Sequence, residues 1–329
     1  MNIVIQKFGG TSLRHIAESG SILSHIERAI HKGESPVIVV SAIGRKGEPY
    51  ATDTLINELE KINPNIDPKK KDLIMSCGET ISAAIVSHFL DSNGIPSEPL
   101  MGIQARIVTD ANFGSSTIVD INTDPILKLL KDNKTPVVAG FQGASKDMEI
   151  TTLGRGGSDI TAVSLGGYLK AQRVDIFTDV PGVAIIDPQI VPSTKFIQSI
   201  DYDNMYNLAS NGVNVLHPRA VSIGKNFNIP IHVRSTSLDG HGTVVSSFDS
   251  TEYDNIIGIA LDKNKEQGVI TIFFQEGYAN DLRKKFNDYL LIYDEEFLNA
   301  IWYDNKVSIV VEPDEIFYFA KDFYRYFFS

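Results

Sequence analysis

Nine residues, Thr151-Thr152-Leu153-Gly154-Arg155-Gly156-Gly157-Ser158-Asp159, gather three glycines, an arginine, hydroxyl side chains and a carboxylate ahead of an apolar helical run, Ile160 to Leu169. Glycine lets backbone N–H groups come close to an anion, and a helix N-terminus adds the positive end of its dipole. Arg155 offers a planar fork suited to a carboxylate or a phosphate. Ser158 or Asp159 is expected to cap the helix. The chemistry implied is capture of a small anionic ligand. Near the start of the chain, Lys7 is followed by Gly9-Gly10 and Thr11-Ser12. A lysine closing a strand can meet a transferring phosphoryl group as a point charge, while glycine N–H groups cradle phosphate oxygens. Neither a Gly-x4-Gly-Lys-Ser/Thr motif nor a Gly-x-Gly-x-x-Gly motif is present, which excludes a P-loop enzyme and leaves a dinucleotide site unsupported.

Elements able to position these groups follow from the apolar runs. Ile3-Val4-Ile5, Val37 to Val40, Pro136 to Ala139 and Val174 to Phe177 alternate with helical stretches at Ile16 to His31, Pro125 to Leu130 and Thr161 to Ala171. Short runs rich in Val and Ile, spaced by helices, indicate an α/β fold with a mainly parallel sheet covered on both faces. Several runs end in Gly, Ser or Thr: Phe8-Gly9-Gly10-Thr11-Ser12, Ser41-Ala42, Gly140 to Gly143 and Thr178-Asp179. In open α/β sheets ligands sit beyond the carboxyl ends of the strands, so these polar ends are expected to converge on one crevice. Glu79 reads as a carboxylate near the start of a helix running from Thr80. Cys77 reads as a small buried residue. His217 precedes Pro218 and is expected to be structural.

The texture changes at Ser246-Ser247-Phe248-Asp249-Ser250. Residues 1–248 are expected to form one domain and 255–329 a small α+β unit. The latter has strands at Ile256 to Leu261, Val269 to Phe274, Leu291-Ile292-Tyr293 and Val307 to Val311, with helices from Ala279 to Tyr289 and from Glu315. The last helix carries eight aromatic residues between Phe317 and Phe328, more than one narrow stripe holds. Either all pack internally or a second aromatic face meets a partner chain in a homodimer.

Composition sets the outer bounds. Net charge is −11 and basic residues are scattered, which argues against nucleic acid as a partner. The single cysteine excludes an intrachain disulfide and fits a reducing cytoplasm. No signal-peptide pattern opens the chain, and no apolar run is expected to span a membrane.

Read in order, Lys7-Phe8-Gly9-Gly10-Thr11-Ser12, Val40-Ser41-Ala42, Ser76-Cys77-Gly78-Glu79, Gly140-Phe141-Gln142-Gly143, Thr152 to Asp159, Phe177 to Val183 and Leu216-His217-Pro218-Arg219-Ala220-Val221 resemble the aspartate kinases over roughly residues 1–248. Gly44 to Thr54 is most similar to Gram-positive members. The resemblance implies an amino acid kinase fold and ATP-dependent phosphorylation of the side-chain carboxylate of L-aspartate, with Mg²⁺ on the phosphates. By motif, it implies Lys7 and Asp159 as the catalytic residues. Ser41, Thr52, Glu79, Arg155 and Ser158 would hold aspartate; Lys7, Phe8, Gly9, Gly10, Thr178, Asp179 and Lys195 would lie at ATP. The acceptor is a carboxylate with an ordinary pKa of about 3.9, so no general base is required. Alternatives are a kinase of a related amino acid and a silent amino-acid-binding regulator.

Two positions depart from the family pattern. Ala184 stands where a tyrosine is usual, and Asp187-Pro188-Gln189 where Asp-Pro-Arg is usual, implying weaker ATP binding or altered nucleotide preference. The tail has room for one ACT-like regulatory module instead of two. Its Phe274 to Asn280 segment lacks the family's proline, implying assembly more than effector sensing.

Overall fold

Alternate residues of one short strand feed two different cores. Val37 and Val39 pack in one cluster and Ile38 and Val40 in another, which requires a sheet covered on both faces. The computed structural model describes every residue except 15, 17–19, 238, 239, 241, 248–254, 264, 265, 294–298 and 329. The boundary expected at 246–250 therefore lies partly outside the described residues.

In chain order come β1 (Asn2–Phe8), α1 (Gly10–Leu13), α2 (Gly20–His31), β2 (Glu34–Val40), α3 (Thr52–Glu60), α4 (Pro68–Ser92), β3 (Ser97–Leu100), β4 (Ile107–Thr109), β5 (Ile118–Ile121), α5 (Asp124–Lys131) and β6 (Thr135–Ala139). There follow β7 (Gln142–Ala144), β8 (Ile150–Thr152), α6 (Gly157–Tyr168), β9 (Val174–Thr178), β10 (Ser199–Asp201), α7 (Tyr202–Ser210), α8 (Pro218–Phe227), β11 (Ile231–Ser235) and β12 (Thr243–Ser246). The remainder holds β13 (Ile256–Lys263), β14 (Gly268–Phe274), α9 (Ala279–Tyr293), β15 (Asn299–Trp302), β16 (Lys306–Val311) and α10 (Ile316–Phe328).

An eight-stranded sheet of order β10-β12-β11-β9-β1-β2-β6-β3 forms the centre. Every neighbouring pair is parallel except β11 with β12. The carboxyl ends of β9, β1, β2 and β6 therefore share one edge, and Lys7, Ser41, Gly140 and Thr178 meet there. Residues of α2 and α4 cover one face; residues of α5 to α8 cover the other. A small sheet of order β5-β4-β7-β8 flanks this layer.

Helix α4 begins at Pro68, capped by the Asp67 carboxylate, which accepts from the N–H groups of Lys69 and Lys70. Glu79 thus lies in mid-helix, not at a helix start. The Ser-Cys-Gly punctuation at 76–78 misleads because Gly78 serves packing: a Cβ there would stand 2.8 Å from the Ala42 Cβ and 3.0 Å from the Tyr50 carbonyl. Cys77 is exposed, contrary to expectation, because it lies on the outward side of this helix beside exposed Leu73. By length and composition α4 could cross a bilayer, again contrary to the sequence reading. Its buried side includes Asp72 and Glu79 and packs on β8, β3 and β6, which is the behaviour of a core helix.

The C-terminal strands form a separate antiparallel sheet of order β13-β14-β16-β15. Helices α9 and α10 pack on it through Leu282, Phe286, Tyr289, Phe319 and Phe323, an arrangement that fits a small ACT-like unit. Residues 291–293 end α9 and are not a strand. Leu282, Phe286 and Tyr289 keep a helical spacing on the buried side, and the repeat simply carries on. The strand comes later, as β15. In α10 the aromatic surplus is mostly absorbed internally, yet Phe317 and Tyr318 remain 48% and 58% exposed.

Candidate active site

The carboxyl end of β1 brings Lys7 to the first turn of α6, where its Nζ lies 2.7 Å from Asp159 Oδ1. Both side chains are largely enclosed, at 12% and 13% exposure, so the pair is only weakly screened by solvent. The α6 N-cap is Gly156 at φ 68°, and no side chain caps the helix. That corrects the capping role expected of Ser158 or Asp159. A side chain at 156 would collide with the His217 ring, so the left-handed glycine lets the loop close onto α8. The positive end of α6 is thereby left for a ligand instead of a side-chain oxygen.

Lys7, Gly10, Ser41, Thr52, Glu79, Arg155, Ser158 and Asp159 line one cavity of about 900 Å³. Two glycines allow its walls to approach. A Cβ on Gly10 would overlap the Ala42 carbonyl oxygen, and one on Gly140 would stand 2.8 Å from Ser158 Oγ. Gly9 borders the Lys7 ammonium.

Glu79 is 4% exposed. Its Oε1 accepts from the Ala42 N–H at 3.0 Å, while Oε2 is buried with no hydrogen-bond partner. Burial pushes its carboxyl up to about 8, and the Ala42 N–H only partly offsets this. An ionised carboxylate here needs a cation from outside the protein. The cavity thus joins a dry acidic group at one side to a Lys–Asp pair and an uncapped helix start at the other, with Arg155 exposed at its margin.

Sequence reasoning missed the groups that hold this arrangement. Asp72, fully buried on α4, accepts from the Thr152 N–H at 2.7 Å, the Thr152 hydroxyl at 2.8 Å and the Gly114 N–H at 2.9 Å. Gln142 donates to the Ser76 carbonyl at 2.8 Å. Arg219 donates to the carbonyls of Leu153 at 2.6 Å and Ser116 at 2.9 Å. Phe141 lines the cavity at φ 69°, a strained conformation for a bulky residue. Phe141 and Gln142 share the Gly140-Phe141-Gln142-Gly143 motif and Arg219 the Leu216 to Val221 motif, whereas Asp72 had no signal. His217 caps α8 by accepting the Arg219 N–H at 3.2 Å. Burial, helped by Arg219, pushes its imidazole down, so it is neutral at neutral pH.

The residues expected at a nucleotide are distributed differently. Phe8 is in the core, stacked on Phe177 with centroids 4.8 Å apart, and lines no part of the cavity. Thr178 and Asp179 line a second cavity of about 510 Å³. Asp179 Oδ2 pairs with Arg45 Nη2 at 3.2 Å, an exposed bridge between the two regions. Lys195 lines neither cavity. Its backbone N–H donates to the Tyr324 hydroxyl at 3.0 Å, and it lines a further cavity together with residues of α10. Among the described residues no group of three or more His, Cys, Asp or Glu side chains could hold a metal.

Residues 2–235 match the profile of the Amino acid kinase family. The chain is 41% identical over 273 residues to Aspartokinase 1 of Bacillus subtilis (strain 168), covering 81% of this chain and 68% of that protein. It is 41% identical over 263 residues to the aspartokinase of Geobacillus stearothermophilus, covering 80% and 63%. Among solved structures, aspartate kinase from Synechocystis superposes with a TM-score of 0.66 at 32% identity, over 95% of this chain and 53% of that one. E. coli aspartokinase III in complex with aspartate and ADP shares the fold, with a TM-score of 0.66 at 23% identity, over 94% and 78%. The chain therefore spans about two thirds of these curated relatives and about half of the Synechocystis chain.

Proposed function

The chain belongs to the amino acid kinase family, on its aspartokinase branch, and from that premise we propose that it transfers the γ-phosphoryl group of ATP to the side-chain carboxylate of L-aspartate. The product is 4-phospho-L-aspartate, the start of aspartate-family amino acid biosynthesis. One observation carries the reading: an unpartnered, buried Glu79 oxygen shares a cavity with the Lys7–Asp159 pair. That combination suits a ligand with an ammonium at one end and a phosphoryl acceptor at the other.

Glu79 meets the substrate ammonium, Arg155 a substrate carboxylate, and Ser41, Thr52 and Ser158 supply hydroxyl hydrogen bonds. Gly9 and Gly10 leave backbone room for the phosphates. An oxygen of the ionised aspartate side chain attacks the γ-phosphorus. The bond from that phosphorus to the β–γ bridging oxygen breaks, and ADP leaves with the electron pair. No proton moves, and none of the described residues lining the cavity is a histidine. Catalysis is then alignment and charge neutralisation. Lys7 offsets the charge developing on the transferred group, and Asp159 holds Lys7 in place. Mg²⁺, bound to the polyphosphate, would neutralise phosphate charge. It would arrive with ATP.

The reading is tested by ADP release over a panel of amino acid acceptors, with Lys7→Ala as control. Turnover confined to aspartate and abolished by Lys7→Ala is expected; turnover with another acceptor alone would reassign the substrate. No turnover with any acceptor would favour the silent regulator, the reading to which Ala184 and Gln189 lend support. We also propose a cytoplasmic homodimer that uses the C-terminal unit. Unchanged oligomer mass in light scattering after deletion of residues 315–329 would refute that assembly.

A further inference from the structure

The second cavity, about 510 Å³, is shared between two parts of the molecule. One wall is the end of β9 and the loop after it, including Thr178, Asp179, Ala184 and Gln189, joined by residues 212–215; the other belongs to β13 and α10 of the C-terminal unit. The loop wall contributes neither an aromatic ring nor a cation. Of its two carboxylates, Asp179 is paired with Arg45, and Asp187 Oδ1 accepts from the Gln189 N–H at 2.8 Å. Among the described residues lining the cavity, the one aromatic ring is Phe317 and the one cationic side chain is Lys263. Lys263 Nζ sits 5.6 Å from the centroid of that ring, and its ion pair with fully exposed Asp314 is long, at 3.4 Å.

This composite wall is fixed in place. The Ile259 N–H donates to the Ile185 carbonyl at 2.6 Å, joining β13 to the loop. Gly212, at φ +112°, lies so close to β13 that a Cβ would stand 2.7 Å from the Leu261 carbonyl oxygen. Ile185, Ile186 and Val191 share one hydrophobic cluster with Phe323 of α10. The cavity also adjoins the phosphoryl-transfer end of the cleft. A Cβ built on Gly9 would lie 3.8 Å from the Phe177 carbonyl oxygen, one residue before Thr178, and 3.9 Å from Lys7 Nζ.

We propose that the C-terminal unit completes the nucleotide site: the base of ATP stacks on Phe317, and Lys263 gives the bound nucleotide a cation that the loop wall lacks. An aromatic face accepts any purine by offset stacking, and a cation beside it strengthens binding of an anionic ligand. The C-terminal unit then acts in substrate binding itself, beyond any part in assembly. The proposal rests on the ATP-dependent reading above.

The test is calorimetric titration of the full chain with ADP, joined to steady-state kinetics. Phe317→Ala is expected to weaken ADP about tenfold, the usual scale for loss of one base–aromatic stack. Phe317→Trp restores binding, Lys263→Gln weakens it several-fold, and KM for aspartate stays within about twofold in all three. Tyr318→Ala, on the same turn but outside the cavity, leaves ADP affinity unchanged. Phe317 is half exposed, so these variants retain the core, and thermal unfolding checks that they do. ADP binding unaltered in Phe317→Ala and Lys263→Gln but weakened by Asp179→Ala would overturn the proposal and leave the kinase reading standing. Failure of Phe317→Trp to restore binding would refute stacking. Absence of ADP binding by the unaltered chain would overturn both.

Discussion

The two cavities are built on opposite plans. The first cavity draws its lining from the first 160 residues, and Glu79 and the Lys7–Asp159 pair are enclosed, Glu79 held by the Ala42 N–H and Lys7 and Asp159 by each other. The second cavity is lined by the loop after β9, residues 212–215 and the C-terminal unit, and its charged side chains are exposed. A site that must hold a small zwitterion and an in-line phosphoryl group needs geometry set to fractions of an ångström, and a single rigid sheet edge provides it. A nucleoside needs only a flat apolar surface and a few polar contacts, which a neighbouring unit can lend. If this contrast is right, changes in the first cavity act on turnover and aspartate, and changes in the second act on nucleotide alone.

The largest expected effect is on Lys7. Lys7→Ala should lower kcat by about 10³-fold, the scale seen when a preorganised charge-stabilising group is removed. Aspartate KM should change little if Lys7 acts on the transferring group as proposed; ADP-release kinetics measure both. Next is Glu79→Gln, which keeps shape but removes the charge facing the ammonium. Aspartate KM should rise about 10²-fold, in keeping with the few kcal/mol at stake when one partner of a buried ion pair is removed. ATP KM should stay put. An equal rise in both constants would dissolve the contrast between the cavities.

The same carboxyl gives a pH signature. With its folded pKa near 8, Glu79 is mostly protonated in the free protein at neutral pH. Bound ammonium favours the ionised form, so kcat/KM for aspartate should rise up to about tenfold per unit as pH climbs towards 8, then level off. Glu79→Gln should flatten that rise, and kcat/KM for ATP should not follow it. Stability runs the other way. The folded pKa lies above the ordinary 4.5, so this group's contribution is complete below pH 4.5 and is lost as pH rises through 8. Thermal unfolding of the Gln variant should lack that loss.

Sequence brought together residues that line the first cavity, such as Lys7, Gly10 and Gly154 to Asp159, because they sit in short runs at strand ends, where local chemistry and position coincide. Alternating Val and Ile runs disclosed the parallel sheet for the same reason. What stayed hidden depends on contacts far apart in the chain. Asp72 reaches Thr152 across eighty residues and carries no local mark. Phe317 reads as one more aromatic in a crowded helix until β13 is seen against the loop at Ile185. Leu291 to Tyr293 looked like a strand because three apolar residues have no periodicity of their own. The helix start read at Thr80 falls inside α4, and only the approach of Ala42 and Tyr50 explains the glycine at 78.

The smallest effect discriminates most finely. If nucleotide binding depended on the loop wall alone, Ala184 and Gln189 would leave it deficient, and the double substitution Ala184→Tyr/Gln189→Arg would tighten ATP strongly. With Phe317 already offering a ring and Lys263 a cation from the opposite wall, the double substitution should shift ATP KM by no more than about threefold, since a second ring competes for space in the same cavity and adds little net stacking. Combined with Phe317→Ala, it should matter more, because the added tyrosine then replaces a missing surface instead of duplicating one. The two changes would be non-additive, as expected for residues facing one ligand. Additive effects on ATP KM in this four-member cycle would mean that the loop and α10 act on the nucleotide independently, and the composite wall would have to be abandoned.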